Sequence, residues 1–165
     1  MEAFIKSNKP EVGSLLKIKR KYGYYHYGIY IGNDQVIHFS GHNSDSVNNS
    51  NLVSIRQDHL NNFIRGDNLE YLPPIYSPFK TKEIISRAEQ FKDSKTFFDN
   101  PYNFVTNNCE HFARYIFYGK KDCTQVKTLL KILAIATALG ASASVAIATA
   151  KKRTSKKEII DNENN

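Results

Sequence analysis

Two runs of strand-forming residues, Tyr25–Ile31 and Gln35–Phe39, are separated only by Gly32-Asn33-Asp34. Both runs are rich in aromatic and β-branched side chains, and Gly, Asn and Asp tolerate the backbone angles of a tight turn. They are therefore expected to fold back on one another as an antiparallel hairpin. Upstream, Leu15–Arg20 alternates apolar with basic residues and extends the hairpin into a β meander over residues 13–39. Residues 41–51 are almost wholly Gly, His, Asn, Ser and Asp and read as a loop, with short strands expected at Leu52–Arg56 and Asn68–Leu72. After the break marked by Pro73-Pro74 and Pro78, Thr81 is placed to cap a helix running to about Lys92, with Ile84, Ile85, Ala88 and Phe91 on one side. A second helix is expected over Cys109–Tyr118, capped by Asn107 or Asn108, stopped by Gly119, and apolar at Phe112, Ala113, Ile116 and Phe117. Strands grouped before helices make an α+β chain.

At 165 residues, one domain with an appendage is expected. Two cysteines, Cys109 and Cys123, are too few for a disulfide framework and fit a reducing compartment. The first residues, MEAFIKSNKPEVG, lack the apolar core of a secretory signal, so the main domain is expected in the cytosol. Leu129–Ala150 is 22 residues long with Lys131 as its sole charge. As a helix it would rise roughly 33 Å, about the thickness of a bilayer core. The expected division is a domain over 1–128, a C-terminal transmembrane anchor over 129–150, and a short polar tail over 151–165. The formal net charge is +7, concentrated in that tail and in Lys17, Lys19, Arg20 and Lys21. Such a pattern suits an anionic membrane surface or a nucleic acid, and charge alone does not choose between them. For the Lys17–Lys21 cluster, a solvated strand edge is an equally good reading.

Cys109 falls where the second helix begins, and unpaired N–H groups at that end favour a thiolate and a developing oxyanion. His26 and His38 lie twelve residues apart on the two strands of the hairpin. With the turn centred near residue 32 or 33, they are expected approximately opposite each other on one sheet face. If the Cys109 helix sets its N-terminus on that face, one imidazole contacts the thiol and the other orients it. The competing reading is a buried thiol acting as a small hydrophobe and two satisfied strand histidines. His111 is expected to point away from Cys109, His42 and His59 to be solvated, and Cys123 to be an incidental or palmitoylated thiol near a membrane. Paired short spacings of a structural zinc site are absent, so neither metal nor cofactor is expected.

The run from His26 through Tyr27-Gly28-Ile29-Tyr30-Ile31-Gly32-Asn33-Asp34-Gln35-Val36-Ile37 to His38 resembles the histidine box of the lecithin:retinol acyltransferase-like proteins. Asn108-Cys109-Glu110-His111-Phe112 is similar to their cysteine box. Further likeness lies in Pro10, Gly13 and Leu15-Leu16, in Tyr76-Ser77-Pro78, in Ile84-Ile85 with Arg87-Ala88-Glu89, and in Tyr118-Gly119. The resemblance spans roughly residues 9–157 and is nearest the small phospholipase A/acyltransferase branch. It implies a permuted papain-like (NlpC-type) fold in which Cys109 is the nucleophile, His26 the general base and His38 the third member orienting it. It further implies attack on a glycerophospholipid ester, an acyl thioester, and transfer to water, an amine or a hydroxyl. Tyr27-Gly28 stands where that branch usually has Trp-Ala.

A membrane-anchored phospholipase/acyltransferase accounts for the boxes and the apolar segment together, with phospholipid and membrane as partners and no nucleic acid. The alternatives are a papain-like amidase or peptidase and a catalytically silent membrane adaptor.

Overall fold

The computed structural model describes residues 3–137 apart from 8, 22, 42–52, 104, 105, 122, 125, 129 and 136. The chain divides into two compact units, Met1–Gln125 and Val126–Asn165.

The first unit is built on a six-stranded antiparallel sheet. In chain order its elements are β1 (Ile5–Lys6), β2 (Leu15–Lys19), β3 (Tyr25–Gly32), β4 (Gln35–Gly41), β5 (Val53–His59), α1 (Leu60–Ile64) and β6 (Leu69–Leu72), and after a single 3₁₀ turn at Pro74–Tyr76 come α2 (Thr81–Glu89), β7 (Thr96–Phe97), β8 (Asn100–Pro101) and α3 (Cys109–Tyr118). The strand order is β1-β6-β2-β3-β4-β5, with β7 and β8 forming a separate small ribbon. The α+β reading and the meander hold; β1, α1 and the β7–β8 ribbon are too short for periodicity to reveal. The transmembrane helix is a separate matter: among the described residues no helix is long and apolar enough to cross a membrane.

The β3–β4 hairpin closes on Asn33 and Asp34, both at positive φ (50° and 54°), between the paired Gly32 and Gln35. Such angles twist a two-residue turn to match its strands. A register shift between Tyr30 and Gly32 leaves Ile31 as an extra residue on β3. Alternation then sorts the side chains. Leu15, Tyr27, Ile29, Ile37, Phe39 and Ile55 join Phe112, Ala113, Ile116 and Phe117 of α3 and Ile84 and Ala88 of α2 in one core. Leu16, Ile18 and Val36 pack on the other face with Leu60 and Phe63 of α1, Leu69 and Tyr71. With both faces covered, most residues of β3 and β4 are buried.

α3 follows its expected bounds. The Asn108 side chain accepts from the backbone N–H of Glu110 and His111, and Gly119 ends the helix at φ 75°. α2 differs from expectation at both ends. Lys80, not Thr81, is its N-cap and makes no side-chain cap bond. Past Glu89 the chain tightens, with Phe91 N–H donating to Ala88 and Lys92 N–H to Glu89, and Asp93 turns to φ 68° to donate to the Ile55 carbonyl at 2.7 Å. That tie to β5 ends the helix before Lys92.

In the second unit, residues 126–128, 130–135 and 137 are helical, and Leu130, Ile132, Leu133 and Ile135 are more than half exposed. Residues 138–150 of the expected anchor, and the tail, lie outside the described residues.

Gly28 is closely packed within the central sheet. A methyl group there would meet Val36 Cγ1 at 2.7 Å, Phe63 Cε2 at 2.9 Å and His38 Cβ at 3.3 Å. Gly28→Ala is therefore expected to cost about 1–3 kcal/mol through overpacking. Urea unfolding checks this, and Phe63→Leu in the same chain should recover part of the loss.

Candidate active site

The N-terminus of α3 is held by a reciprocal cap between Asn108 and His111. Asn108 Oδ1 accepts from Glu110 N at 3.0 Å and His111 N at 3.1 Å, and His111 Nδ1 accepts from Asn108 N at 3.3 Å. Cys109 is the first helical residue, 3% exposed, with its sulfur 3.9 Å from the Tyr25 carbonyl oxygen. The nucleophile candidate thus meets β3 one residue from His26. Tyr102 packs edge-on against Phe39 at 4.9 Å and lies beside Cys109. Burial and the adjoining sulfur raise the Tyr102 pKa, so the phenol stays protonated and available as a donor.

His26 and His38 are 1% and 2% exposed and share the sheet face covered by α1. The core of α3 packs on the other face, so Cys109 approaches at the strand margin and not from above the imidazoles. Continuing the register of Ile29 with Ile37 sets Gly28 beside His38 and His26 beside Ser40. The histidines are consequently diagonal neighbours, two residues from the expected opposition, because the turn centres between Asn33 and Asp34; the extra residue Ile31 shifts the register by one and so brings both onto the same face. They still meet, with His26 Nε2 2.8 Å from His38 Nδ1 and rings 80° apart. Phe63 lies 5.1 Å and 5.2 Å from the two rings and closes the site from α1.

Sequence reasoning missed the residue behind them. Asp58 on β5 lies 2.9 Å through Oδ2 from His38 Nε2, and its Oδ1 accepts from Arg56 Nη2 at 2.6 Å. Arg56 is the register partner of His38, and Asp58 shares its face two residues on. Burial raises the Asp58 pKa, but hydrogen bonds and positive charge from His38 and Arg56 outweigh it and hold the carboxyl at about 2.

Other expected residues have different surroundings. Arg20, grouped by sequence with the surface cations, is buried: it pairs with Asp67 at 2.8 Å and donates to the Phe63 and Ile64 carbonyls at 2.7 Å and 3.0 Å. It thereby holds the end of α1 that carries Phe63. Lys17 pairs with Glu70 at 2.6 Å and covers the Phe4 and Tyr25 rings. Lys19 and Lys21 remain exposed. Cys123 is not a surface thiol; it is 3% exposed and 3.0 Å from Glu110 Oε2. His59 is exposed, as expected, and caps α1 by accepting from Asn61 N, while His42 lies outside the described residues. Among the described residues no three His, Cys, Asp or Glu side chains converge as a metal site requires.

Asp58 gives the site a pH signature. Its folded pKa of about 2 lies below the ordinary 3.8, so its contribution is fully present above pH 3.8 and is lost as pH falls through about 2. Urea midpoints measured from pH 5 to pH 2 should fall more steeply for the wild type than for Asp58→Asn.

Residues 8–122 match the family described as lecithin retinol acyltransferase. Phospholipase A and acyltransferase 4 of Homo sapiens is 33% identical over 146 residues, which cover 80% of this chain and 84% of that protein. Phospholipase A and acyltransferase 2 of Homo sapiens is 29% identical over 148 residues, 83% of this chain and 88% of the relative. Lecithin retinol acyltransferase of Homo sapiens is 26% identical over 155 residues, 78% of this chain and 66% of the relative. A cysteine at a capped helix start, set against a strand bearing one of two bonded histidines, therefore sits in a family of acyltransferases and phospholipases: the chain belongs to the lecithin retinol acyltransferase family and is related to its phospholipase A and acyltransferase proteins.

Proposed function

We propose that this chain is a cysteine-dependent phospholipase A1/A2 and acyltransferase on a permuted papain-like fold. His26 takes the Cys109 proton, and the thiolate attacks an ester carbonyl of a glycerophospholipid. The tetrahedral oxyanion forms at the positive end of the α3 dipole, which favours its charge. Its collapse breaks the ester bond, and His26 returns the proton to the departing lysophospholipid hydroxyl, leaving an acyl thioester on Cys109. Water, the amine of phosphatidylethanolamine or the hydroxyl of a lysophospholipid then attacks the thioester. It gives its proton to His26, which reprotonates the released thiolate. His38 orients His26 throughout.

The observation that carries this reading is the 2.8 Å contact of His26 with His38 on the strand whose Tyr25 carbonyl meets the Cys109 sulfur. A lipid ester as substrate is supported by relatives named phospholipase A and acyltransferase. Membrane attachment is part of the proposal. Residues 129–150 form a single span with the catalytic domain cytosolic, raising the local concentration of substrate. The exposed Lys19 and Lys21 add attraction to anionic headgroups, about 1 kcal/mol each near such a surface.

Full-length protein in detergent, incubated with phosphatidylcholine and weighed intact, is expected to carry an acyl adduct on Cys109. Cys109→Ser should carry none, since a serine hydroxyl does not ionise near neutral pH. His26→Ala should be nearly as damaging, and His38→Gln milder. An adduct that persists in Cys109→Ser points to another nucleophile and overturns the assignment. For the anchor, a glycosylation acceptor placed after residue 160 should be modified by endoplasmic reticulum membranes. A site left unmodified and open to protease on the cytosolic side rejects the span.

A further inference from the structure

The line of polar groups does not stop at His38, and its far end fixes where the protons sit. Asp58 Oδ1 is occupied by Arg56 Nη2 at 2.6 Å, and Arg56 Nη1 reaches the Gly41 carbonyl at 3.4 Å. The carboxylate therefore meets His38 Nε2 through Oδ2 as an acceptor, so Nε2 of His38 carries the hydrogen. A neutral imidazole has one N–H, which leaves His38 Nδ1 as a lone pair. His26 Nε2, 2.8 Å from that lone pair, must then be the donor. With its own hydrogen on Nε2, neutral His26 has its lone pair on Nδ1.

We propose that Asp58 is a positioning residue which, through His38, sets the tautomer of His26 and makes Nδ1 the nitrogen that accepts the Cys109 proton. The proposal rests on the reading of Cys109 and His26 as nucleophile and base. Within it, Asp58 touches neither substrate nor thiol and acts two hydrogen bonds away.

The chain makes a sharp test possible because Arg56 removes an ambiguity. In Asp58→Asn the guanidinium keeps the amide oxygen as its acceptor and turns the amide N–H₂ toward His38. His38 Nε2 must then accept, and its hydrogen moves to Nδ1. His26 Nε2 must accept in turn, and His26 is left with its hydrogen on Nδ1, the nitrogen the reaction needs bare. A wrong tautomer with intact geometry is costly to a triad, and a loss of about 10²-fold or more in kcat is expected for a group acting at this remove. Among the described residues, the other groups facing the pair are these. β3 contributes His26 itself, β5 contributes Arg56 and Asp58, and α1 presents Phe63, which has no proton to exchange.

Nitrogen-detected NMR of full-length protein labelled at histidine, in the pH range where both imidazoles are neutral, reads the tautomers without any activity. The expected result is His26 protonated at Nε2 and His38 at Nε2 in the wild type, both switched to Nδ1 in Asp58→Asn. Phosphatidylcholine turnover should fall in kcat with KM little changed, and Asp58→Glu should restore part of it. Wild-type His26 protonated at Nδ1 overturns the proposal outright, even if Asp58→Asn does not fold. Unchanged tautomers in a folded Asp58→Asn overturn it as well. Correct tautomers together with an acyl adduct that survives in Cys109→Ser would instead remove the nucleophile assignment and leave the histidine chain standing.

Discussion

A sheet covered on both faces gives its inner polar groups no water, and this constraint governs the centre of the molecule. Each such group left unpaired costs about 1–3 kcal/mol, so His26 and His38 are tolerable there only with partners. The partners run strand to strand, from His26 on β3 to His38 on β4, to Asp58 on β5, then to Arg56, where the line reaches the half-buried margin of the sheet. This also pins the register. Slipping β4 by one residue would turn His38 into the apolar core under α3 and Phe39 toward Asp58. Structure and chemistry are here one requirement: the hydrogen bonds that make burial affordable are those that aim the imidazoles.

Features written in local chemistry were legible in the sequence. Asn108 and Gly119 bound α3 because a side-chain cap and a left-handed stop act within a few residues of themselves. Asn33 and Asp34 announce their turn for the same reason. The pairing of His26 with His38 was legible only to within two residues, since the exact centre of the turn at Asn33 and Asp34, and the extra residue Ile31 that shifts the register by one, depend on how the whole hairpin twists. Asp58 gave no signal as a spacing motif. Between Gln57 and His59 it lies past the strand expected over Leu52–Arg56, and only the longer β5 and the pairing of His38 with Arg56 reveal that it faces an imidazole. Cys123 shows the limit most simply, because nothing near it in sequence says that Glu110 will bury it.

Charge was the least legible property. The cations from Lys17 to Lys21 look alike along the chain, yet the fold gives them different work. β6 and the turn before it bring Glu70 and Asp67 to Lys17 and Arg20, about fifty residues away in sequence. Arg20 then secures the carbonyl end of α1, and so the phenyl ring that shuts the imidazoles from solvent. A residue placed by sequence at a lipid surface serves the interior of the site from behind.

Gly28 carries a consequence for how such a chain can vary. Its missing side chain is filled by Val36, Phe63 and His38 at once. One of these is fixed by the hydrogen-bonded line, so only positions 36 and 63 are free to give way. An alanine at 28 becomes admissible when one of those two shrinks, and a bulkier residue at either demands that 28 stay bare. Positions 28, 36 and 63 thus form a single unit of inheritance, in which a substitution at one is neutral or harmful according to what the other two already hold.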